Sequence, residues 1–326
     1  MSWTTHMIAW LSCSWHEACR LRHPEVDLDH LLLGLLAEGG AAAALLGAHG
    51  VTLAGARRAM QELSEEDLAA VGIDTSAMPA VTPVSPLEAQ VLAERDAVPM
   101  SARAEQFATD RRASFNTSAS FNTSLSTLRA LLGSDVPMRI LGRLGVDPDA
   151  LRADLAAREG RRPDSPGGAA VDPDLLPQEP AAALCLRRFI SASPAQVCKV
   201  LADPSLLPAW AVLAEEMRRT CPEGIISRHE SRTGRHMTLQ WRRIESTPDS
   251  VIWVKTLLDG PNRGQTFAYD RFDLNPAPGG CALTFTRAYR IWRLSGRLLH
   301  PATRRLTRIG MVTTFGSIAR TVAAAS

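Results

Sequence analysis

At 326 residues the chain is longer than one ordinary hydrophobic core organises, and it predicts two or three domains of about 100–150 residues each. A content of 45% hydrophobic and 21% charged residues excludes chain-wide disorder, and no apolar run reaches the roughly 18 residues of a membrane span. The net charge of +2 hides a segregation, because residues 1–160 hold 13 arginines against 20 acids while residues 181–326 hold 21 basic residues against 10 acids.

The start of the chain lacks the basic end and long apolar centre of a secretory signal, which places the protein in the cytoplasm. The six cysteines, at 13, 19, 185, 198, 221 and 281, form no CxxC pair and read as reduced thiols. Only Lys199 and Lys255 among the 36 basic residues are lysines.

The first half shows apolar residues at helical spacing. In HPEVDLDHLLLGLL (23–36), His23, Glu25, Asp27, Asp29 and His30 precede an unbroken apolar run. Histidines seven apart are a weak metal signal, since helical zinc pairs prefer i, i+4 spacing. Asp27 or Asp29 is instead expected to cap a helix starting near Leu28. Neither a metal nor a cofactor is predicted.

An internal repeat follows. LLGAHGVTLAGAR (45–57) aligns without gaps on ILGRLGVDPDALR (140–152). Each reads as a helix ending at a glycine, a short turn at Gly-Val and a new helix, with Asp147 as N-cap and Pro148 in the first turn of the second copy. The near-duplicated SFNTSASFNTSLST (114–127) is expected to be a mobile loop.

These motifs resemble the Clp N-terminal (Clp R) repeat. The resemblance implies an all-α domain over 1–158, with repeats at about 1–72 and 81–158, that binds peptides, substrates and adaptors. It further implies a small site for a phosphorylated arginine or related ligand at Thr4 and Asp29, with Ser85 at the matching start of the second repeat and no acid to partner it. His23 and His30 would bracket a loop rather than hold a metal. The implied partner is a Clp ATPase, or its substrates or inhibitors. No GxxxxGK[ST] occurs, so this sequence holds no P-loop motor.

Residues 159–180, with five prolines, read as a flexible linker. Beyond it, LCLRRFI (184–190) is a first strand, Ser193 caps a helix with Pro194 and Gln196 behind it, and Asp203-Pro204 starts a second. Strands are expected at GIISRHES, HMTLQWRRIE, VIWVKTLL, TFAYDRFDL and CALTFTRAYRIW, then a helix over 295–325 on the spacing Leu306, Ile309, Val312, Ile318 and Val322.

This order, and the run from Ile190 to Trp210, resembles the START-like SRPBCC (polyketide cyclase/dehydratase) family. The resemblance implies an α+β helix-grip fold over 181–326, in which an antiparallel sheet wraps a long C-terminal helix around a cavity for a lipid or polyketide-like molecule. Alternation supplies the candidate lining: Trp210, Trp241, Phe267, Tyr269, Arg271, Phe285, Arg287 and Tyr289.

No catalytic set is recognisable, so the expectation is a non-enzymatic binding protein: an adaptor, decoy or regulator of Clp-dependent proteolysis that also takes a hydrophobic small molecule. The alternative is a cyclase or aromatase using Arg271, Tyr269 and Arg287. No nucleic-acid partner is expected. The basic terminal helix, with Arg293, Arg297, Arg304, Arg305 and Arg308, is expected to be solvated and to draw the acidic first half towards it.

Overall fold

The computed structural model describes residues 3–74, 84, 99–117, 123–159, 167–177, 180–211, 214, 216–221, 224–230, 236–291 and 293–325. Described helices of the first unit are α1 (Trp3–Arg20), α2 (Leu28–Glu38), α3 (Gly40–Ala48), α4 (Leu53–Ala70), α5 (Ala102–Thr117), α6 (Thr123–Leu131), α7 (Asp135–Arg143) and α8 (Pro148–Glu159).

The α2 sequence LDHLLLGLLAE is apolar all round and buried at every position but Asp29, as expected of a helix enclosed by others. It packs against α1, α4, α6 and α7. Gly34 permits the α1 contact, because a Cβ there would lie 2.5 Å from the Ser14 backbone nitrogen. Asp27 is the N-cap, accepting from Leu28 N–H at 2.9 Å.

The repeat is visible in the backbone. Val51 N–H donates to Leu46 C=O and Val146 N–H to Leu141 C=O, across Gly50 (φ 80°) and Gly145 (φ 72°). Thr52 then accepts from Gly55 N–H and Asp147 from Asp149 N–H, so both copies cap the following helix alike. The expected loop at 114–127 is corrected: α5 runs to Thr117 and α6 starts at Thr123, with 118–122 outside the described residues. Leu125, Leu128 and Leu131 share a buried face, and the Ser126 and Thr127 hydroxyls bond back to the Thr123 carbonyl.

The second unit is built on one antiparallel sheet of order β1-β2-β8-β7-β6-β5-β4-β3. Its strands are β1 (Gly167–Gly168), β2 (Ala181–Ile190), β3 (Met217–Cys221), β4 (Gly224–Glu230), β5 (His236–Thr247), β6 (Ser250–Leu257), β7 (Thr266–Ala277) and β8 (Gly280–Arg290). Helices α9 (Pro194–Ala202), α10 (Leu207–Trp210) and the 33-residue α11 (Arg293–Ala325) cover its concave face. Ser193 and Gln196 form the expected capping box on α9. The architecture is the α+β helix-grip with a long C-terminal helix.

Two expectations change here. The buried face of α11 is Met311, Thr314, Phe315, Ile318 and Val322, whereas Leu306 and Ile309 are 68% and 55% exposed, because the face turned to β8 in this part of the helix is that of His300, Thr307 and Met311. The stretch expected as a linker is folded over 167–177: β1 pairs with β2, and Leu176 is buried on the convex face with Ala183, Val254 and Tyr269.

The two units share a core. Phe189 of β2 and Ala323 of α11 belong to the apolar cluster of the helical unit. Ser191 Oγ donates to Leu36 C=O at 2.6 Å, Arg57 donates to Ala323 C=O at 2.6 Å, and Arg320 donates to Ser12 Oγ at 2.9 Å. Of the basic helix, Arg304, Arg305 and Arg308 are exposed and the side chains of Arg293 and Arg297 lie outside the described residues; the charge contact between the halves is made from the sheet, by Arg188 of β2 on Glu38 of α2. Among the described residues no single helix is long and apolar enough to cross a membrane; the bent pair α2–α3 passes by length and composition and lies in the core of the helical unit.

Candidate functional site

In the helical unit, an open groove of about 400 Å³ runs between α4 and α7 and reaches the start of α2. Met60, Leu63, Leu68, Val136 and Ile140 give it apolar walls, and Asp27, Asp29, Asp67, Arg103 and Arg139 line it with charge. Arg139 forks onto Asp67 at 2.6 and 3.0 Å, and Arg103 pairs with Asp27. Asp29, a sequence candidate, lies in this groove, 2.6 Å from His30 N–H and 2.7 Å from His30 Nδ1. Burial raises its affinity for protons, but the His30 contacts win and hold the carboxyl below the usual range.

His23 and His30 meet edge-on, with Nδ1 and Nε2 2.8 Å apart. Burial and its neighbour His30 lower the His23 pKa. Among the described residues no group of three or more potential ligands is placed to hold a metal. The Thr4 side chain and Ser85 lie outside the described residues.

In the sheet unit the strands sort the candidates by face. Trp241, Phe285, Arg287 and Tyr289 are on the concave side, and buried Trp210 meets Phe272 edge-on at 5.5 Å. Its indole Nε1 is buried without a hydrogen-bond partner. Phe267 is half-buried against the same cluster, beside the register shift at Lys255/Thr256.

Tyr269 and Arg271 are corrected as lining residues. Asp270, Phe272 and Leu274 take the concave face of β7, so the alternate positions point outward. Tyr269 Oη accepts from Asp172 N–H at 2.9 Å on the convex side, and Arg271, 42% exposed, donates to Asp273.

Around Arg287 the structure assembles residues that the alternation argument left out. Asp270 is fully buried; its Oδ1 accepts from Arg287 Nε at 2.7 Å and its Oδ2 from Arg287 Nη2 at 2.7 Å and Lys255 Nζ at 2.6 Å. Lys255 Nζ also stands 4.3 Å from the centre of the Trp241 ring, and the Arg287 guanidinium 5.1 Å from that of Phe285. Tyr289, two residues beyond Arg287, places its hydroxyl 3.4 Å from His300 Nε2 of α11.

Burial and the adjacent Arg287 push the Lys255 ammonium well down from its usual value, against the pull of Asp270. For Asp270 burial acts upward, and Arg287 and Lys255 together hold it low. The missed signal was in the strand VIWVKTLL: Val251, Trp253, Lys255 and Leu257 alternate, so a lysine sits in a row of core residues.

Residues 2–121 match the family model of the Clp repeat (R) N-terminal domain, and residues 185–323 match that of polyketide cyclase / dehydrase and lipid transport. The chain joins a Clp repeat unit to a polyketide cyclase-like unit. Solved structures resembling it include CV1439 from Chromobacterium violaceum, 15% identical, covering 43% of this chain and 97% of its own with a TM-score of 0.34. Ms6760 from Mycobacterium smegmatis is 16% identical, over 48% and 95%, with a TM-score of 0.33. TTHA0849 from Thermus thermophilus is 15% identical, over 44% and 99%, with a TM-score of 0.37. No curated protein matches the chain. Of the groove's lining, Asp27 to Arg103 lie within the residues matched to the Clp repeat model and Val136, Arg139 and Ile140 lie beyond them, while the Lys255–Asp270–Arg287 cluster lies within the residues matched to the cyclase model.

Proposed function

We propose that this chain is a binding protein in which a Clp-type peptide- or adaptor-binding head (1–158) is mounted, through 159–180, on a hydrophobic-ligand module (181–326). It would act in the cytoplasm as an adaptor, a decoy or a ligand-responsive regulator of Clp-dependent proteolysis. The observation that carries the reading is the placement of α11. One helix lines the grip interior with Met311, Phe315 and Ile318, then ends in the core of the head, where the Ala323 carbonyl accepts from Arg57. A displacement of α11 by a molecule in the grip is transmitted to the head, since close-packed elements shift as units.

Co-precipitation with a purified Clp ATPase, run beside binding of an arginine-phosphorylated peptide, tests the proposal. Capture of the ATPase supports the adaptor role. Peptide binding that weakens in Asp29→Asn supports the decoy role, and failure of both sinks the reading.

The rival reading, a cyclase or aromatase, retains Arg287, Tyr289 and the nearby His300 as inward polar groups. It requires turnover of a polyketide-type chain that disappears in Arg287→Ala.

A further inference from the structure

The first half of α11 carries apolar and cationic side chains into solvent together. Leu306 and Ile309 are exposed, and so are Arg304, Arg305 and Arg308. A single exposed apolar side chain is ordinary on a protein surface. Here two stand one turn apart on the same helix and share a face, which the exposed Ala302 extends by a further turn. At 3.6 residues per turn, Leu306 and Ile309 lie about 140–160° around the helix from Met311, which is buried in the grip. The apolar strip therefore faces away from the core on which its own helix packs.

The charge beside the strip is of one sign. Arg305 borders it, and Arg308 and Arg304 follow further round the helix. Among the described residues none of the three is paired with a carboxylate, and residues 274–326 contain no Asp or Glu. An arginine at the edge of such a strip can lay its methylenes along an apolar layer while its guanidinium reaches anionic headgroups. A helix that turns an apolar strip outward and carries unpaired arginines beside it is complementary to the interface of an anionic bilayer, where buried apolar area and surface charge both contribute to binding. Other occupants match less of the surface. A second copy meeting this face by twofold symmetry would set the same arginines against one another. A nucleic-acid backbone would pair the arginines and leave Leu306 and Ile309 without apolar contact.

We propose that the first half of α11 docks on an anionic membrane surface, with Leu306 and Ile309 seated among the lipids, Arg305 on their headgroups, and Arg304 and Arg308 adding to the attraction. This goes beyond the reading of the chain as a Clp-linked binding protein and does not depend on it. The contact is interfacial and needs no crossing segment.

Sedimentation of the full chain with sucrose-loaded vesicles tests it, comparing equimolar phosphatidylglycerol and phosphatidylcholine with phosphatidylcholine alone. At about 0.1 M salt the chain is expected to partition onto the anionic vesicles at least about tenfold more strongly than onto the neutral ones. Arg304→Gln, Arg305→Gln and Arg308→Gln together should weaken that binding by about a hundredfold, at about fivefold for each charge. Leu306→Ser with Ile309→Ser, which leaves every charge in place, should weaken it about tenfold. All five side chains are exposed, so neither variant disturbs the core, and circular dichroism identical to the parent verifies the fold. Failure to partition onto the anionic vesicles overturns the proposal. So does binding that survives either variant, because another surface or charge alone then holds the membrane. A dimer that Leu306→Ser with Ile309→Ser dissolves, in a chain that ignores vesicles, assigns the face to a second copy and overturns it equally.

Discussion

Arg188, near the end of β2, donates a 2.8 Å hydrogen bond to the buried carboxylate of Glu38, the last residue of α2. A residue of the sheet unit thereby neutralises a charge inside the helical unit. His6 Nδ1, 3.0 Å from the same oxygen, completes the arrangement, and its Nε2 lies 3.3 Å from Thr127 Oγ1 of the second repeat. Both repeats and the sheet meet at one carboxylate.

Removing Arg188 leaves Glu38 with only the imidazole. Arg188→Met is expected to cost about 3–5 kcal/mol in urea unfolding, the usual penalty for stranding one partner of a buried ion pair. Adding Glu38→Gln should recover part of that loss. A double-mutant cycle with no coupling would mean that the two units are not held through this pair.

The same carboxylate makes the junction acid-sensitive. Burial would raise the Glu38 pKa from its ordinary value of 4.5, but His6 and Arg188 lower it below that value. A carboxylate depressed in the folded state stabilises above its unfolded pKa, and that contribution is lost as the pH falls from 4.5 through the folded value. Parent and Glu38→Gln melting curves should therefore converge as the pH falls below 4.5, with the parent losing more. Parallel curves would contradict the assignment.

Lys255 gives the opposite slope. Its pKa is lowered from 10.5 to about 7, so between those values the unfolded chain binds the proton that the folded chain has released, and this group makes stability rise with pH. Lys255→Met should abolish that rise between pH 7 and 10.5 and stabilise the protein at about pH 6 by on the order of 1 kcal/mol, because the excess buried cation is gone. Urea titrations at about pH 6, 8 and 10 measure it; an unchanged pH slope would place the lysine in ordinary solvation.

A close backbone approach between the units is also testable. A Cβ on Gly47 of α3 would lie 2.5 Å from the Pro278 carbonyl and 3.2 Å from the Phe189 ring. Gly47→Ala is expected to destabilise by about 1–3 kcal/mol through overpacking and to raise hydrogen exchange at the junction. Gly142→Ala, inside α7 with nothing within 4 Å of its Cβ, should stabilise by up to about 1 kcal/mol. Equal effects would refute the proposed crowding.

Local signals in the sequence settled much of this protein. Asp27, Ser193 and Asp203 act as caps because their short oxygens reach free N–H groups one to three residues ahead, a matter of local geometry. The paired glycine turns at Gly50 and Gly145 were legible because each needs a positive φ. Period-two alternation placed strands such as β5 and β8, since one face of each is the more buried, while β6, buried on both faces, reads as a short continuous apolar run.

Alternation alone does not say which face is inside. Tyr269 and Arg271 look like lining residues until the concave side is set by α11. Leu306 and Ile309 fit a helical apolar stripe yet stand in solvent, because packing on β8 turns the side of α11 that carries His300 and Thr307 inward. The meeting of Lys255, Asp270 and Arg287 joins three strands, and that of Glu38 with Arg188 spans 150 positions. Cap, turn and strand follow from neighbours along the chain; these charge clusters exist only because burial makes each cation and carboxylate depend on a partner that folding brings from elsewhere.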